Sequence, residues 1–423
     1  MKTYVLYTLT ALAFFSVIAC HKSNSHPGAS GSNTTLRISI DSTTGSVANS
    51  PSTDTFIVAL QNPSTCYKVP LVLHIAAGSS SKQGVMVNDS TYNDTVDLSM
   101  NNVAKVTIVA ANGDTASYAI AIPYLFTNYT FTNWNVGGSL RPSPVLALFV
   151  SGDTVYAGTY GGVCISTNGG ATFNTYTTAN GLGDNQVNGL YVQGSTIYAA
   201  TQGGLSISTN GGSNFVNYTT ANGLGYTVVN GVYVQGNTMY VATAESLSIS
   251  TDGGATFTNY GKAAGLGGYP LLGVSVSGNY VYVATVAGLS VAALGNWVFT
   301  NLTTTNGLGD NQVNGLYVQG STVYAATLGG LSVGNNAAIS FFNYAGGAGV
   351  GGDGDYDVYG VYASGNDIYA GTGYGLSIST DRAHYTSYTS INGLGVNPVH
   401  SVFSQGSTIY AGTGSGLTVV TPR

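Results

Sequence analysis

Charge is what this sequence has least of. Only 6% of its 423 residues are Asp, Glu, Lys or Arg, against about 25% in a typical soluble protein. Ten Lys and Arg are spread over the whole chain and form no basic patch, which argues against nucleic acid as a partner. The net charge of -6 indicates no particular charged partner. Solubility must therefore come from uncharged polar residues.

Cysteine and helical patterns are also scarce. The chain has 3 Cys, and Cys66 and Cys164 fall in different predicted domains. Nothing in their spacing indicates a disulfide, so we interpret both as unpaired packing residues. No amphipathic helical stretch stands out. Instead, 60 Gly and 31 Tyr in a Thr-rich chain indicate many short strands and tight turns.

The first 35 residues have the pattern of an export signal and a tether. Lys2 is followed by an apolar run over 4–19, which is short for a membrane span and typical of a signal-peptide core. The run ends in Val-Ile-Ala-Cys20, which resembles the bacterial lipoprotein cleavage box. That resemblance implies a signal peptide at 1–19, lipidation of Cys20, and the membrane as a partner through several acyl chains. The alternative is an ordinary signal peptide that happens to contain a Cys; 20–35 is predicted to be a flexible tether.

The amino-acid composition changes over 36–123. Short β-rich runs recur there, and Asn112-Gly113 between the last two is a hairpin signal. About seven strands in a segment of this length predict a small Ig-like β-sandwich. The segment resembles the Ig-like N-terminal domains of Bacteroidetes lipoproteins. We expect a spacer that lifts the rest of the chain off the membrane, with glycan or protein binding as the alternative.

The remaining chain is a repeat. An aromatic-x-x-aromatic motif begins at Phe131 and returns at Phe173, 42 residues later. A tyrosine series keeps much the same period: Tyr156, Tyr198, Tyr240, Tyr282, Tyr324, Tyr369 and Tyr410. Each unit holds four short β-rich runs separated by Gly and Asn turns, which is the size of a propeller blade. Seven such blades must stack and close into a ring, since an open end would leave apolar faces and strand edges bare.

The order of the motifs predicts how the ring closes. The motif Phe131/Trp134 has no earlier member of the tyrosine series, whereas Tyr410 and Leu417 have no aromatic motif after them. The last blade therefore takes its fourth strand from 127–134 and its other three from the end of the chain. We predict an all-β fold: a seven-bladed β-propeller over 126–422 with one-plus-three strand closure, preceded by the Ig-like β-sandwich.

Two family resemblances refine this reading. The run from Ser250 through Asp252 to Phe257 is similar to the Asp-box of sialidase-type BNR repeats, and Asn168 stands at the equivalent position two repeats earlier. In that family the box is a structural hairpin, which implies structural roles for Asp252 and Asn168. The run 180–187, continued by 197–205, resembles the two-component-regulator propeller repeat, with Tyr in place of the usual Trp. In that family the repeats form periplasmic sensor propellers.

Candidate ligand-binding residues follow from the blade pattern. The loops from strand four to the next strand one, and those from strand two to strand three, share one rim of a propeller, and that rim normally carries function. Its aromatic and amide-rich character suits a neutral glycan or a protein surface. The candidates are Arg141, Tyr160, Asp184, Gln186, Tyr226, Glu245, Tyr269, Asp310, Gln312, Tyr356 and Tyr374.

The same residues argue against catalysis. A sialidase needs an Arg triad, but only Arg141 falls on this rim, and Glu245 is the only Glu in the chain. A glycosidase of the usual kind needs two carboxylates about 5–10 Å apart, whereas Asp184 and Asp310 fall three blades apart. We expect no enzyme activity, although a pairing of Glu245 with either Asp stays conceivable.

One acidic cluster could hold a metal. Asp353, Asp355 and Asp357 alternate with Gly and Tyr in the longest rim loop, which is similar to the start of a calcium loop. The Glu that completes such a loop is missing, so a solvated acidic loop is the competing interpretation. No other cofactor is expected.

The sequence therefore favours a cell-envelope lipoprotein, on the outer membrane and facing either the periplasm or the surface. Its propeller is expected to be a non-catalytic binding or scaffolding module for glycan or protein. Two alternatives remain: a carbohydrate-active enzyme resembling propeller glycosidases, and an assembly factor resembling the photosystem-assembly propellers.

Overall fold

We analysed a computed structural model of the chain, which describes residues 129–136, 143–335, 340–345, 349–351 and 356–422. Ahead of them it describes only the backbone of eight strands. The chain divides into two compact units, Met1–Asn128 and Tyr129–Arg423. The predicted Ig-like sandwich, Cys20 and Cys66 lie outside the residues whose side chains are described, so these three predictions stay predictions.

The first unit contributes three small sheets. A two-stranded sheet joins β1 and β4, a four-stranded sheet has the order β3-β2-β5-β6, and β7 pairs with β8. The bounds are β1 Ala13–Ile18, β2 Thr35–Ile40, β3 Thr43–Ala48, β4 Thr55–Leu60, β5 Lys68–Ile75, β6 Thr91–Asp97, β7 Val103–Val109 and β8 Thr115–Ala121.

The second unit is a propeller of seven four-stranded antiparallel sheets, which confirms the predicted fold. Strand one of each blade is innermost and strand four is outermost. Blade 1 is β10 Val145–Ser151, β11 Thr154–Thr159, β12 Gly162–Ser166 and β13 Asn174–Tyr176. Blade 2 is β14 Val187–Gln193, β15 Thr196–Thr201, β16 Gly204–Ser208 and β17 Val216–Tyr218. Blade 3 is β18 Val229–Gln235, β19 Thr238–Thr243, β20 Leu247–Ser250 and β21 Thr258–Tyr260.

The remaining blades repeat this order. Blade 4 is β22 Leu271–Ser277, β23 Tyr280–Thr285, β24 Gly288–Ala293 and β25 Thr300–Leu302. Blade 5 is β26 Val313–Gln319, β27 Thr322–Thr327, β28 Gly330–Asn335 and β29 Phe341–Tyr344. Blade 6 is β30 Val358–Ser364, β31 Asp367–Thr372, β32 Leu376–Ser379 and β33 Thr386–Tyr388. Blade 7 is β34 Val399–Gln405, β35 Thr408–Thr413, β36 Gly416–Pro422 and, from the start of the unit, β9 Tyr129–Trp134.

The ring closes as the sequence predicts. Strand β9 pairs antiparallel with β36 from Trp134 opposite Leu417 to Tyr129 opposite Pro422. The rings of Tyr129 and Phe131 also contact Tyr388 of blade 6, at centroid distances of 5.8 and 5.6 Å. The strand therefore completes blade 7 and packs against blade 6 at the same time.

The core lies between blades. Each apolar cluster joins two neighbours, as where Leu205 of blade 2 packs with Met239 and Val241 of blade 3. The buried Thr201 hydroxyl is satisfied locally, because it ends strand two of its blade and donates to the Gly204 carbonyl at 2.8 Å. Cys164 is buried and unpaired, with its sulfur 3.3 Å from the Thr175 hydroxyl. That agrees with the predicted packing role of this cysteine.

Short 3-10 turns in the loops from strand four to the next strand one were not predicted. One of them, Thr178–Asn180, is capped by the Thr177 side chain and ends at Gly181, where φ is 94°. Its equivalents are Thr220–Asn222, Lys262–Ala264, Thr304–Asn306 and Ser390–Asn392. They fix the path by which each of these loops leads into the next blade. Within the described part of the chain, no helix is long and apolar enough to cross a membrane.

Candidate functional site

Two kinds of loop meet on one rim, as predicted. The amide of Gln202, in the turn between strands two and three, donates to the carbonyl of Gln186, which immediately precedes strand one. The same bond recurs from Ala244 to Val228 in blade 3 and from Gly414 to Pro398 in blade 7. We call this side of the propeller the entrance rim.

At the entrance rim, every inner strand carries a β-bulge. In blade 2 the pairing register shifts between Val187 and Gly189, which leaves Asn188 as the extra residue, and the same shift occurs in all seven blades. A bulge re-aims its side chain and is common beside functional sites. The inner strands contact one another in an unbroken cycle, so the seven extra residues form a ring around the axis. We call this the entrance ring: Leu146, Asn188, Asn230, Leu272, Asn314, Tyr359 and His400, all half-buried.

Part of the entrance ring ties neighbouring blades together. The Asn188 amide donates to the Val229 carbonyl of the next blade at 2.9 Å, and Asn314 does the same to Val358 at 2.9 Å. These side-chain amides reach the next blade because a glycine follows each of them, Gly189 and Gly315. A glycine lets the two inner strands approach closely. Sequence reasoning missed this ring, and the recurring Asn-Gly after the first strand residue was the signal that could have indicated it.

The ring has a different chemistry on the side of blades 6 and 7. The rings of Tyr359 and His400 lie with their centroids 5.6 Å apart. Burial lowers the pKa of His400, which favours the neutral imidazole near neutral pH. This sector therefore presents aromatic groups without a permanent charge.

Four predicted rim tyrosines are exposed. Tyr160 and Tyr374 occupy turns between strands two and three, with 52% and 37% of their surfaces exposed. Tyr226 and Tyr356 precede strand one of blades 3 and 6, and each is 38% exposed. Such amphipathic rings can stack on a ligand while their hydroxyls bond to it.

Two of the predicted rim carboxylates accept hydrogen bonds within their own loops. Asp184 accepts the amide hydrogen of Gln186 at 2.7 Å, and Asp310 accepts that of Gln312 at 2.7 Å. The Gln186 side chain in turn donates to Asn188 of the entrance ring at 3.1 Å, and Gln312 donates to Asn314 in the same way. The structure assigns Asp184 to blade 2 and Asp310 to blade 5, and it brings neither beside the other.

Glu245 lies close to a different predicted residue. Burial, and then the charge of Glu245, raises the pKa of Tyr269. The Tyr269 hydroxyl stands beside Gly261, 3.5 Å from the point that a β-carbon there would occupy. These two predicted residues thus share one sector of the entrance rim, next to blade 4.

Other candidates fall outside the description. Arg141, Asp353 and Asp355 lie outside the described residues, so the calcium loop stays a prediction. Asp357 is described, and its carbonyl accepts the amide hydrogen of Gly373 at 3.0 Å. No group of three or more His, Cys, Asp and Glu that could hold a metal occurs within the described ranges.

Deeper in the channel lies a second ring, which sequence reasoning also missed. Three residues beyond the bulge, six of the seven inner strands carry an aromatic residue. Neighbouring aromatic rings contact from blade to blade, with centroids 5.1 Å apart for Tyr191 and Tyr233 and 4.5 Å apart for Tyr317 and Tyr362. We call this set the collar: Phe149, Tyr191, Tyr233, Tyr317, Tyr362 and Phe403.

The opposite rim holds the turns that resemble Asp-boxes. The Asp252 carboxylate accepts three hydrogen bonds. They come from the backbone amide of Thr256 at 3.0 Å, from the Thr256 hydroxyl at 2.6 Å and from the Ser250 hydroxyl at 2.8 Å. Asn168 makes the equivalent bonds to Thr172 and Ser166. Each carboxylate or amide is therefore engaged within its own turn, which fits the structural role expected for it.

Asp252 is expected to titrate well below an ordinary aspartate. Hydrogen bonds from Thr256, and then from Ser250, lower its pKa from 3.8 to about 2. Because the folded-state pKa is depressed, this carboxylate stabilises the fold above its unfolded pKa and loses that contribution as the pH falls toward 2. An NMR titration of the carboxyl carbon should show this pKa, and Thr256→Ala should raise it.

The control for this prediction is Asp252→Asn, which introduces the amide that Asn168 already uses. This variant should abolish the acid-dependent part of the stability that is due to this turn. A carboxyl at position 252 that titrates at its ordinary value would contradict the hydrogen bonding described here.

Comparisons with known proteins identify the fold. No family model matches the chain, and no curated protein matches its sequence. The extracellular domain of the one-component system BT4673 from B. thetaiotaomicron aligns with a TM-score of 0.56 at 18% identity, over 68% of this chain and 40% of that one. YCF48 bound to D1 peptide aligns at 0.52 and 11%, over 72% and 100%. An ancestral GH74 enzyme aligns at 0.52 and 14%, over 68% and 46%.

At these identities the likeness establishes the architecture alone. The chain spans well under half of the BT4673 chain it matches. Together with the described strands, the comparisons define the class: an all-β protein built on a seven-bladed β-propeller.

Proposed function

We propose that this protein is a cell-envelope lipoprotein whose propeller is a non-catalytic binding module, with its ligand held across the entrance rim. The observation that carries the proposal is the concentration of four exposed tyrosines on that one rim, around a ring of half-buried amides and aromatics. Aromatic faces with a few placed polar groups are what neutral ligands and protein surfaces require.

The rim carboxylates support binding over catalysis. A glycosidase places one carboxylate to protonate the leaving oxygen and a second about 5–10 Å away. Here Asp184 and Asp310 each accept a backbone amide hydrogen within their own loops, in blades 2 and 5. Glu245 shares its sector with a phenol, Tyr269, since both residues lie near Gly261. The likeness to an ancestral GH74 enzyme, at 14% identity, is a likeness of fold.

The comparisons favour a binding role in the cell envelope. One similar propeller is the extracellular domain of a signalling system, and another has been solved with a peptide bound. An exported, lipid-anchored propeller with an aromatic rim fits the same kind of task. Protein and neutral glycan both suit the chemistry of the rim.

Site-specific crosslinking in cells tests the rim assignment. A photoreactive residue placed at Tyr160 or at Tyr374 should yield a discrete crosslinked species or a labelled glycan. The matched control is Val298, which is 63% exposed between strands three and four of blade 4, on the opposite rim. Equal crosslinking from Val298 would contradict the proposal.

A reducing-end assay completes this test. Purified protein should release no sugar ends from neutral polysaccharides. Release that is lost in Asp184→Asn or in Asp310→Asn would identify an enzyme and overturn the non-catalytic assignment.

The lipid anchor has its own test. Replacing Cys20→Ser removes the sulfur that would carry the diacylglycerol, so labelling with a radioactive fatty acid should fall to background. The protein should then leave the membrane fraction, because a chain without acyl groups has no comparable hold on a bilayer. Cys66→Ser is the control and should keep both the label and the membrane association. Labelling that persists in Cys20→Ser would contradict the anchor.

A further inference from the structure

The collar is one aromatic ring short. Five ring contacts run in sequence from Tyr317 through Tyr362, Phe403, Phe149 and Tyr191 to Tyr233. The seventh inner strand, β22 of blade 4, carries Ser275 at the equivalent position. Its side chain ends at a hydroxyl where every other blade has a six-membered ring.

The inner strand of blade 4 also leaves more room at its glycine than that of blade 6. A β-carbon on Gly273 would meet only the Ala284 side chain, at 3.8 Å, whereas at Gly360 of blade 6 it would meet a backbone oxygen at 2.7 Å. The entrance ring residue of this strand is Leu272, which is apolar and half-buried between Asn230 and Asn314. This side of the channel therefore combines an apolar wall with a missing side chain.

Two collar tyrosines, Tyr233 of blade 3 and Tyr317 of blade 5, flank the position of Ser275 in the order of the blades. Burial, and then the phenols of Tyr362 and Tyr233, raises the pKa of Tyr317. Ser275 itself is half-buried, so solvent reaches the gap.

We propose that the gap at Ser275 is a binding site for an aromatic side chain of a protein segment that lies across the entrance rim. The inserted ring would complete the collar between Tyr233 and Tyr317. Its path from the rim passes Tyr269 and Leu272, which precede Ser275 along blade 4. This inference rests on the proposed binding function and specifies its partner.

The chemistry of the gap selects an aromatic side chain over a sugar. Neighbouring collar rings sit at centroid distances of 4.5 to 5.6 Å, which is the range in which aromatic pairs attract. The collar residues at and beside the gap, Ser275, Tyr233 and Tyr317, carry a hydroxyl as their only polar side-chain group. A phenol or an indole needs one of them, whereas a sugar would bury several hydroxyls without enough partners, at a cost in free energy.

The test uses the full chain and N-acetyl-tyrosinamide as the probe, with binding followed by ligand-observed NMR. The variant Ser275→Tyr fills the gap with the residue that four other blades carry there, and Ser275→Ala leaves the gap open. The wild type and Ser275→Ala should bind the probe with similar affinity. Ser275→Tyr should bind it about tenfold or more weakly and should melt at or above the wild-type temperature.

Several results would overturn the inference. One is a wild-type chain that shows no saturable binding at millimolar probe. Another is a Ser275→Tyr variant that binds as the wild type does. A third is that cellobiose, and not the aromatic probe, binds to the wild type and loses its binding in Ser275→Tyr. If Ser275→Tyr fails to fold, Tyr317→Leu removes one wall of the gap instead, and unchanged affinity in that variant would also overturn the inference.

The crosslinking experiment separates the two proposals. Crosslinks from Tyr160 and Tyr374 that persist when the probe does not bind would leave the rim function standing and remove the aromatic site. Loss of both would remove the binding function itself.

Discussion

A chain that begins at Val136 should unfold at temperatures where the complete protein is native. It lacks β9, so β36 becomes an unpaired edge, the interface with blade 6 loses Phe131, and the cluster between blades 7 and 1 loses Trp134. Removing one large aromatic from a well-packed site costs about 3–5 kcal/mol. Loss of the whole strand should therefore exceed about 5 kcal/mol, which is comparable to the total stability of many domains. Thermal and urea unfolding followed by circular dichroism measure it.

The control is a chain that begins at Tyr129 and keeps the closing strand. It should melt close to the complete protein, which separates the role of β9 from that of everything before it. Within the complete chain, Phe131→Ala should lower the melting temperature, whereas Thr130→Ala, at an exposed position, should not. If the chain that begins at Val136 melts cooperatively at the temperature of the complete protein, the ring closes without β9.

Gly360→Ala should destabilise the propeller, and the equivalent change in blade 4 should not. A β-carbon on Gly360 would lie 2.7 Å from the His400 carbonyl oxygen and 3.2 Å from the α-carbon of Ser401. The neighbouring inner strand would have to move, and overpacking of this kind costs about 1–3 kcal/mol. The free energy of unfolding in urea should fall by that amount.

Gly273→Ala provides the matched control. Its β-carbon would touch only Ala284, at 3.8 Å, and replacing a glycine where space and backbone allow stabilises a protein by about 0.4–1 kcal/mol. The two variants make the same chemical change at the same position of two blades. Equal effects on stability would contradict the close approach of the inner strands at blade 6.

The predictions from sequence were best where the information is local and repeated. The seven-membered tyrosine series from Tyr156 to Tyr410 was enough to count the blades, because each antiparallel blade is built from strands that are neighbours in the chain. The closure by β9 followed from the same count. An apolar strand without a partner in its own part of the chain must pair with the incomplete blade at the other end of the propeller sequence. The two rims followed from the alternation of turns along each blade.

The local bonding of the candidate residues could not be predicted. Asp184 and Asp310 were predicted as rim candidates, and the structure adds that each accepts the amide hydrogen two residues further on. A turn and a binding site both use aspartate in such a loop. The sequence therefore looks the same whether the carboxylate bonds to its own loop or to a ligand. Only the loop conformation decides between a bond to the chain's own backbone and an exposed charge.

By itself, the sequence determined that this protein is a ring of seven four-stranded blades, where the ring closes, and which loops share a rim. Strand pattern and period are properties of neighbouring residues, so they can be read along the chain. Only the tertiary structure decided that Asn188 and its six equivalents line the entrance and that the collar stops at Ser275. Those features depend on a register shift within each blade and on contacts between strands that are about 42 residues apart or more, which no local pattern specifies.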